Sequence, residues 1–280
     1  MIGGLRQDGR RWKELRRLSC EYGTVSSADG SCTFTMGRTK VMAAVFGPQT
    51  RSGSNRGASG SHSIPAVELK VSWAPFATQE RRERGRTDRF IVELENMLKS
   101  TVESMLNFTQ SFQGGSGGGF GNNTVVGIGS SQSSSEVQVK VLILEADGGV
   151  RSCCFNAVTC AAAVANLTLG DLVVACGCTP RAFGKTLRES QKTSDAMQVG
   201  TARMLLDPNS LEISKFGELT LTTTVSGDQQ VVSCLCDSKM QPEDLEECVE
   251  TCAQGCKTIG NFVRKSIMEY MGKVASVSMH

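Results

Sequence analysis

The strongest constraint on the fold is a strand–turn–helix–strand run in the middle of the chain. The apolar segment 137–144 predicts a buried strand, and an Asp-Gly-Gly turn at 147–149 follows it. A helix of small residues is expected over 153–167, and a further strand over 172–178. Strand, helix and strand at this spacing indicate a crossover unit, so helices are expected to pack on sheets.

The flanking segments repeat this alternation and predict an α+β fold with mixed sheets in a single domain, 1–280. Strands are expected over 18–25, 31–36, 40–46, 66–73, 203–206, 212–216, 219–225 and 231–236, and helices over 90–108 and from Pro242 onward. The segment 111–135 is rich in Gly and Ser, which is typical of a disordered insertion.

The chain holds 12 cysteines but no CxxC pair. The N-terminus lacks the apolar core of a secretion signal, which predicts a reducing compartment and no disulfide framework. Most cysteines stand where small apolar residues would, and Cys248, Cys252 and Cys256 recur on one helical face, so burial is expected. The alternative is a thiolate metal site built from the pairs Cys176/Cys178 and Cys234/Cys236.

Two absences exclude classes of function. The only histidines are His62, in a Gly/Ser-rich stretch, and His280, the last residue, so histidine catalysis and most histidine-containing zinc patterns are excluded. No apolar run approaches the roughly 18 residues of a membrane span, so no membrane partner is expected.

Charge is segregated along the chain, although the net charge is only +2. Residues 1–89 hold 16 Lys and Arg against 8 Asp and Glu, whereas residues 90–280 hold 14 against 20. The segment 81–89 alone contains five arginines, which favours contact with a polyanion backbone. The alternative is a solvated flank of the following helix. The candidate RNA-binding residues are Arg81, Arg82, Arg86 and Arg89.

The segment 147–152 is the best candidate for an anion site. Two glycines allow a sharp turn, and the helix that follows offers free N–H groups and the positive end of its dipole. Gly149, Arg151 and Ser152 would bind phosphate through backbone, guanidinium and hydroxyl groups. A Gly-Gly turn with a surface arginine is the alternative interpretation. Asp195 is a lone carboxylate before a strand, where a surface loop residue would also be expected.

Five motifs, taken in order, resemble the ribonuclease PH family, and within it the exosome ring subunit that carries the phosphorolytic site in archaea. They are Arg6-Gln7-Asp8-Gly9-Arg10-Arg11, Ala28-Asp29-Gly30-Ser31, Gly37-Arg38-Thr39-Lys40-Val41, Phe46-Gly47-Pro48 and Ala146-Asp147-Gly148-Gly149 with Arg151. The resemblance covers nearly the whole chain. It implies a βαβα fold and a six-membered ring of related subunits around an RNA channel.

The resemblance also implies functional roles. In active relatives, inorganic phosphate attacks the 3′-terminal phosphodiester of RNA and a nucleoside diphosphate leaves, which depends on positioning and charge. Arg151 and Ser152 match the phosphate-holding position, and 81–89 matches the segment that contacts the RNA backbone. Single-stranded RNA, cap subunits and a hydrolytic nuclease are the implied partners, in the nucleus, nucleolus and cytoplasm.

The acid site departs from the family pattern. Active members carry two aspartates six positions apart; Asp195 matches the first, but Thr201 stands at the second. Asp207 is a possible substitute, but it follows the predicted strand and lies too far along the chain. A hydroxyl is a poor general acid and a poor Mg²⁺ ligand, so a subunit with little or no catalysis is expected. The alternatives are an active phosphorolytic enzyme that uses Mg²⁺ and phosphate, and a phosphate-binding scaffold that does not bind RNA.

Overall fold

A computed structural model describes residues 6, 8–50, 66–78, 80, 81, 85, 87–113, 135–165, 167–181, 203–227, 229–238, 240 and 242–278. It contains nine strands and four helices within those residues, so the predicted α+β class is confirmed. Among the described helices, none is long and apolar enough to cross a membrane.

The first sheet has five strands in the order β1-β2-β3-β5-β4. Its strands are β1 (Leu18–Tyr22), β2 (Gly30–Met36), β3 (Thr39–Thr50), β4 (Ala66–Trp73) and β5 (Ser135–Glu145). Neighbouring strands run antiparallel except for β4 and β5, which are parallel and are joined through helix α1 (Arg89–Gln113).

The second sheet has four antiparallel strands in the order β7-β6-β8-β9. They are β6 (Val173–Arg181), β7 (Arg203–Leu206), β8 (Leu219–Thr224) and β9 (Val231–Cys236). The long helix α4 (Pro242–Ser278) packs on β6 and β8, as its apolar stripe predicts.

Helix α2 (Val150–Val164) lies at the centre of the molecule and contacts both β2 and β3 of the first sheet and β6 of the second. Its small side chains allow this close packing; a Cβ at Gly30 of β2 would lie 2.3 Å from the Ala161 carbonyl oxygen. Because α2 is buried almost throughout, its first turn is held rigidly between the two sheets.

Two sequence-based predictions are corrected by this topology. The expected crossover unit β5–α2–β6 is wrong, because β5 and β6 belong to different sheets; the parallel crossover is β4–α1–β5. The strand predicted over 212–216 is instead helix α3 (Ser210–Phe216). Asn209 and Glu212 form a capping box in which each side chain accepts a hydrogen bond from the other's backbone N–H at 3.0 Å.

Most cysteines are buried as small apolar residues, as predicted, including Cys153 and Cys154 on α2 and Cys176 on β6. Cys234 and Cys236 on β9 are exposed. Across the described residues, neither CxC pair belongs to a cluster with metal-ligand spacing, so that alternative is not supported. The predicted insertion over 111–135 lies largely outside the described residues, since α1 ends at Gln113 and β5 begins at Ser135.

Candidate functional site

The turn before α2 needs both of its glycines. Gly148 and Gly149 have φ values of +78° and +60°, in the left-handed region. A Cβ at Gly148 would lie 2.5 Å from the backbone carbon of Asn209, and one at Gly149 would lie 2.7 Å from Nη2 of Arg16. The predicted sharp turn and close approach are therefore present, but the groups that approach the turn belong to the protein itself.

Arg16 is the buried cation behind this turn. Its guanidinium donates to both carboxylate oxygens of Asp207, at 2.6 and 2.9 Å, and to the backbone carbonyls of Asp147 at 2.7 Å and Gly148 at 3.1 Å. Burial alone would lower the pKa of Arg16, but the paired Asp207 carboxylate raises it above its usual value. Arg16 thus fixes the Asp-Gly-Gly turn against the end of β7.

Two arginines of the first motif anchor the N-terminal segment to the same place. Arg6 pairs with Glu212 and donates to the Leu206 carbonyl at 2.6 Å. Arg10 donates to the carbonyl of Asp207 at 3.1 Å and to the carboxylate of Asp8 at 2.6 Å. The arginines of this motif hold the loop after β7 in position, which the sequence alone did not suggest.

Arg151 lies in the first turn of α2, but its guanidinium faces carboxylates. Nη1 is 2.5 Å from Oδ2 of Asp237, and Nη2 is 3.7 Å from Oε2 of Glu93. The guanidinium carbon also stands 4.8 Å from the centre of the Phe90 ring. An incoming phosphate would have to displace Asp237, whose side chain is 42% exposed and can turn into solvent.

Two buried polar atoms at this turn of α2 lack a hydrogen-bond partner. They are Nε of Arg151 and Oγ of Ser152, and Ser152 is fully buried. An unpaired buried donor costs roughly 1–3 kcal/mol, so each of these two atoms would be stabilised by a hydrogen-bond partner. The assignment of Gly149, Arg151 and Ser152 to phosphate stays a prediction.

Glu218, the residue before β8, adds a buried acid to the charged groups around Arg151. Burial raises its pKa to about 7, and the nearby Arg151 partly offsets that rise. Its Oε1 has no hydrogen-bond partner, and a Cβ at Gly177 on β6 would collide with this carboxylate. A carboxyl group that titrates near neutral pH can take up or release a proton in a reaction, as a general acid or base must.

The carboxylates of Asp207, Asp237 and Glu218 do not fit a Mg²⁺ site as they are arranged. Asp207 directs both oxygens at Arg16, and Asp237 pairs with Arg151. Burial raises the pKa of Glu218 to about 7, so a large part of this carboxyl group is protonated and uncharged at neutral pH. Mg²⁺ requires ionised carboxylates whose oxygens are free to coordinate it, so these three side chains offer it no binding site as arranged.

The arginine-rich segment ends beside this cluster. Arg81 and Arg89 are both exposed, and Arg89 is the first residue of α1. The next residue, Phe90, is the ring that packs under Arg151, and Phe76 is 69% exposed just before the segment. The structure therefore places the C-terminal end of the predicted RNA-contacting segment, at Arg89, next in sequence to the ring that contacts Arg151.

Four predicted positions lie outside the described residues: Arg82, Arg86, Asp195 and Thr201. Three charged residues of the cluster were not proposed from the sequence: Arg16, Glu218 and Asp237. Asp207 lies too far along the chain for the family's acid position, yet the structure places its Oδ1 3.2 Å from where a Cβ at Gly149 would stand. The capping signal Asn209-x-x-Glu212 is the sequence feature that could have placed the loop after β7 correctly.

Comparisons with known proteins agree with this architecture. The crystal structure of rice (Oryza sativa) Rrp46 aligns with a TM-score of 0.66 over 94% of this chain and 100% of the rice chain, at 23% identity, which shows a shared fold. A sequence profile of the 3′ exoribonuclease family, domain 1, matches residues 14–168. The chain therefore belongs to this family, as the ribonuclease PH resemblance predicted.

Curated relatives match over nearly the full chain. The exosome complex component RRP41 homolog of Arabidopsis thaliana is 32% identical over 95% of this chain and 92% of its own length. Exosome complex component RRP41 of Mus musculus is 28% identical over 99% and 95%. Exosome complex component Rrp41 of the archaeon Methanopyrus kandleri is 26% identical over 96% and 94%.

Proposed function

We propose that this protein is an RNA-binding subunit of the exosome core ring, with little or no catalysis of its own. The match to proteins named as exosome components over more than 90% of the chain supports the assembly. Other ribonuclease PH-like subunits would be its ring neighbours, with cap subunits and a hydrolytic nuclease attached. The ring would act in 3′→5′ processing and degradation of single-stranded RNA in the nucleus, nucleolus and cytoplasm.

The observation that carries the low-activity proposal is the ion pair between Arg151 and Asp237, at 2.5 Å. The arginine that would hold phosphate is already paired with a carboxylate, which also repels an anion. The free energy of phosphate binding must therefore exceed the free energy lost when this ion pair breaks.

The second candidate is an active phosphate-dependent exoribonuclease, which the buried Glu218 favours. Its carboxyl group titrates near pH 7 and lies close enough to Arg151 for the cation to lower its pKa. An acid at this place could donate a proton to the leaving oxygen of RNA while Arg151 holds the attacking phosphate.

One assay separates these candidates. The protein and its reconstituted ring are incubated with 3′-labelled single-stranded RNA, Mg²⁺ and phosphate, and the products are separated as nucleoside monophosphates or diphosphates. We expect no diphosphate above the level of a ring that carries Arg151→Ala. Diphosphate release that is lost in both Arg151→Ala and Glu218→Gln would establish the second candidate instead.

Crosslinking tests the RNA-binding part of the proposal separately. Photo-crosslinked RNA in the assembled ring should map to residues 81–89. If RNA passes through the ring without crosslinking there, the segment does not face the channel. A protein that binds phosphate but no RNA in any assembly would be the scaffold alternative.

A further inference from the structure

The sulfurs of three cysteines from three different elements of the fold meet in the core. They are Cys20 on β1, Cys32 on β2 and Cys160 on α2, and their Sγ atoms all lie within 4.8 Å of one another. Across the described residues, this is the one group of cysteine, histidine or acidic side chains with such spacing that includes three or more ligands. The candidate site described above uses none of them.

The backbone brings these sulfurs together rigidly. The antiparallel register pairs Tyr22 with Cys32, so Cys20 and Cys32 stand diagonally on one face of the sheet, with their sulfurs 3.1 Å apart. Helix α2 lies against that face at Gly30, whose missing side chain lets the helix backbone come close. Cys32 and Cys160 are fully buried, whereas Cys20 is partly exposed and opens the cluster toward solvent.

A buried oxygen stands beside the sulfurs. The Tyr22 hydroxyl makes no well-formed hydrogen bond although Cys20, Cys160 and Ser266 are its neighbours. The ring of Tyr22 packs against Tyr270 of α4 at 4.9 Å between centroids, which holds the hydroxyl in place. A buried oxygen that makes no well-formed hydrogen bond beside two cysteine sulfurs is unusual in a core packed only for burial.

We propose that Cys20, Cys32 and Cys160 bind a zinc ion, with the Tyr22 oxygen or a solvent oxygen at the fourth position. Three thiolates and one oxygen form a tetrahedral donor set that zinc accepts. With Zn–S bonds of about 2.3 Å, the sulfurs of a tetrahedral site stand about 3.8 Å apart. The three Sγ atoms already lie within 4.8 Å of one another, so only small shifts are needed. Each thiol releases its proton to solvent as its Zn–S bond forms, so affinity rises with pH.

The electrostatics of the cluster fit this assignment. The strongest interactions of the three sulfurs are with one another and with hydroxyls, not with a basic side chain. A divalent cation would neutralise most of the charge that three thiolates create, which a monovalent ion would not.

Metal binding by the full-length, reduced and chelator-stripped protein tests the proposal. We expect one equivalent of Zn²⁺ to remain bound after gel filtration, and Co²⁺ to give the intense thiolate charge-transfer and tetrahedral d–d absorption bands. Cys20→Ser should weaken zinc binding at least tenfold. This side chain lies on an edge strand and is partly exposed, so the variant is expected to fold, as circular dichroism can check.

Two control variants give the test its specificity. Cys154→Ser changes another buried cysteine of the same helix, and Cys234→Ser with Cys236→Ser removes the exposed pair on β9; both should bind as the wild type does. If the Co²⁺ bands survive Cys20→Ser, or disappear with the exposed pair, the proposal is wrong. Absence of zinc binding by the wild type would also overturn it.

A measurement on the wild type keeps the proposal testable if Cys20→Ser does not fold. Alkylation by iodoacetamide, read by peptide mass spectrometry, should slow at least tenfold at Cys20 when Zn²⁺ is present and stay unchanged at Cys236. Protection of Cys236 alone would contradict the site. Isolation of a disulfide between Cys20 and Cys32 from cells, with no metal, would show a redox pair in its place.

Discussion

Arg16 and Asp207 are joined by a two-pronged ion pair across 191 positions of sequence. Nη2 donates to Oδ1 at 2.6 Å and Nε donates to Oδ2 at 2.9 Å, while the backbone N–H of Arg16 donates to the same Oδ2 at 3.0 Å. Both side chains are buried. The pair connects the segment before the first sheet to the end of β7 in the second, and it supports the turn that begins α2.

Removal of one partner should therefore be costly. Arg16→Met leaves the Asp207 carboxylate buried without its cation, and we expect the free energy of unfolding to fall by about 3–5 kcal/mol. Urea denaturation followed by circular dichroism measures the change. Arg17→Met is the matched control, because Arg17 is exposed and should change stability by less than about 0.5 kcal/mol. Equal losses in the two variants would contradict the role given to the pair.

Gly149 should not tolerate a side chain. Alanine at this position must adopt φ near +60° and would place Cβ 2.7 Å from Nη2 of Arg16. We expect Gly149→Ala to destabilise the fold by about 1–3 kcal/mol. Gly272→Ala is the control: this glycine lies in the exposed part of α4 with nothing within 4 Å of its Cβ position, so the change should stabilise by up to about 1 kcal/mol. Thermal unfolding of both variants measures these opposite changes in stability.

The periodic part of the fold could be predicted from local sequence. The strands over 66–73, 203–206 and 231–236, and the start of α4 at Pro242, match the structure because alternation and helical spacing are local signals. The partition of β5 and β6 into different sheets could not be predicted in this way, because it depends on which faces of α2 each sheet covers.

The same distinction applies to the site. Arg151 and Ser152 were predicted because a Gly-Gly turn before a helix is a local pattern. Arg16 and Glu218 were not predicted, since neither belongs to a local motif, and only the tertiary fold brings their charges together. The apolar residues of 212–216 favour a strand, but the capping box of Asn209 and Glu212 starts a helix there, so the segment forms α3.

Glu218 should make stability fall as pH rises. Its pKa is about 7 in the folded protein against 4.5 for an unperturbed glutamate, because burial disfavours the charged form. Between these two pH values the carboxyl group loses its proton in the unfolded chain but keeps it in the folded chain, so the unfolded state is stabilised relative to the folded state. The loss is about 3 kcal/mol between pH 4.5 and pH 7.

The comparison of two variants isolates this contribution. Glu218→Gln should remove the decline, so its stability relative to the wild type should be greater at pH 7.5 than at pH 5. Glu246→Gln, at an exposed position on α4, should show the same pH dependence as the wild type. Urea denaturation at both pH values provides the measurement, and a wild-type decline that persists in Glu218→Gln would refute the assignment.

Two exposed arginines, Arg81 before α1 and Arg89 at its first position, should contribute to RNA affinity through the phosphate backbone. Arg81→Ala with Arg89→Ala should weaken binding of single-stranded RNA about tenfold or more, independent of sequence. It should also make the salt dependence of log K shallower by about 1.4, because two phosphate contacts are lost. Fluorescence anisotropy across a salt series measures both. Lys257→Ala with Arg264→Ala removes the same charge from exposed positions on α4 and should leave the slope unchanged.

Asp237 should compete with phosphate for Arg151. The carboxylate is 2.5 Å from Nη1, and its 42% exposure allows it to move away once its charge is removed. Asp237→Asn should therefore tighten phosphate binding by about tenfold, equivalent to about 1.4 kcal/mol, and Arg151→Ala in that background should abolish the gain. Isothermal titration with inorganic phosphate measures the affinities. Glu145→Gln removes an exposed carboxylate at the end of β5 and controls for net charge. If Glu145→Gln tightens phosphate binding as much as Asp237→Asn does, the higher affinity reflects overall charge, and Asp237 does not compete with phosphate for Arg151.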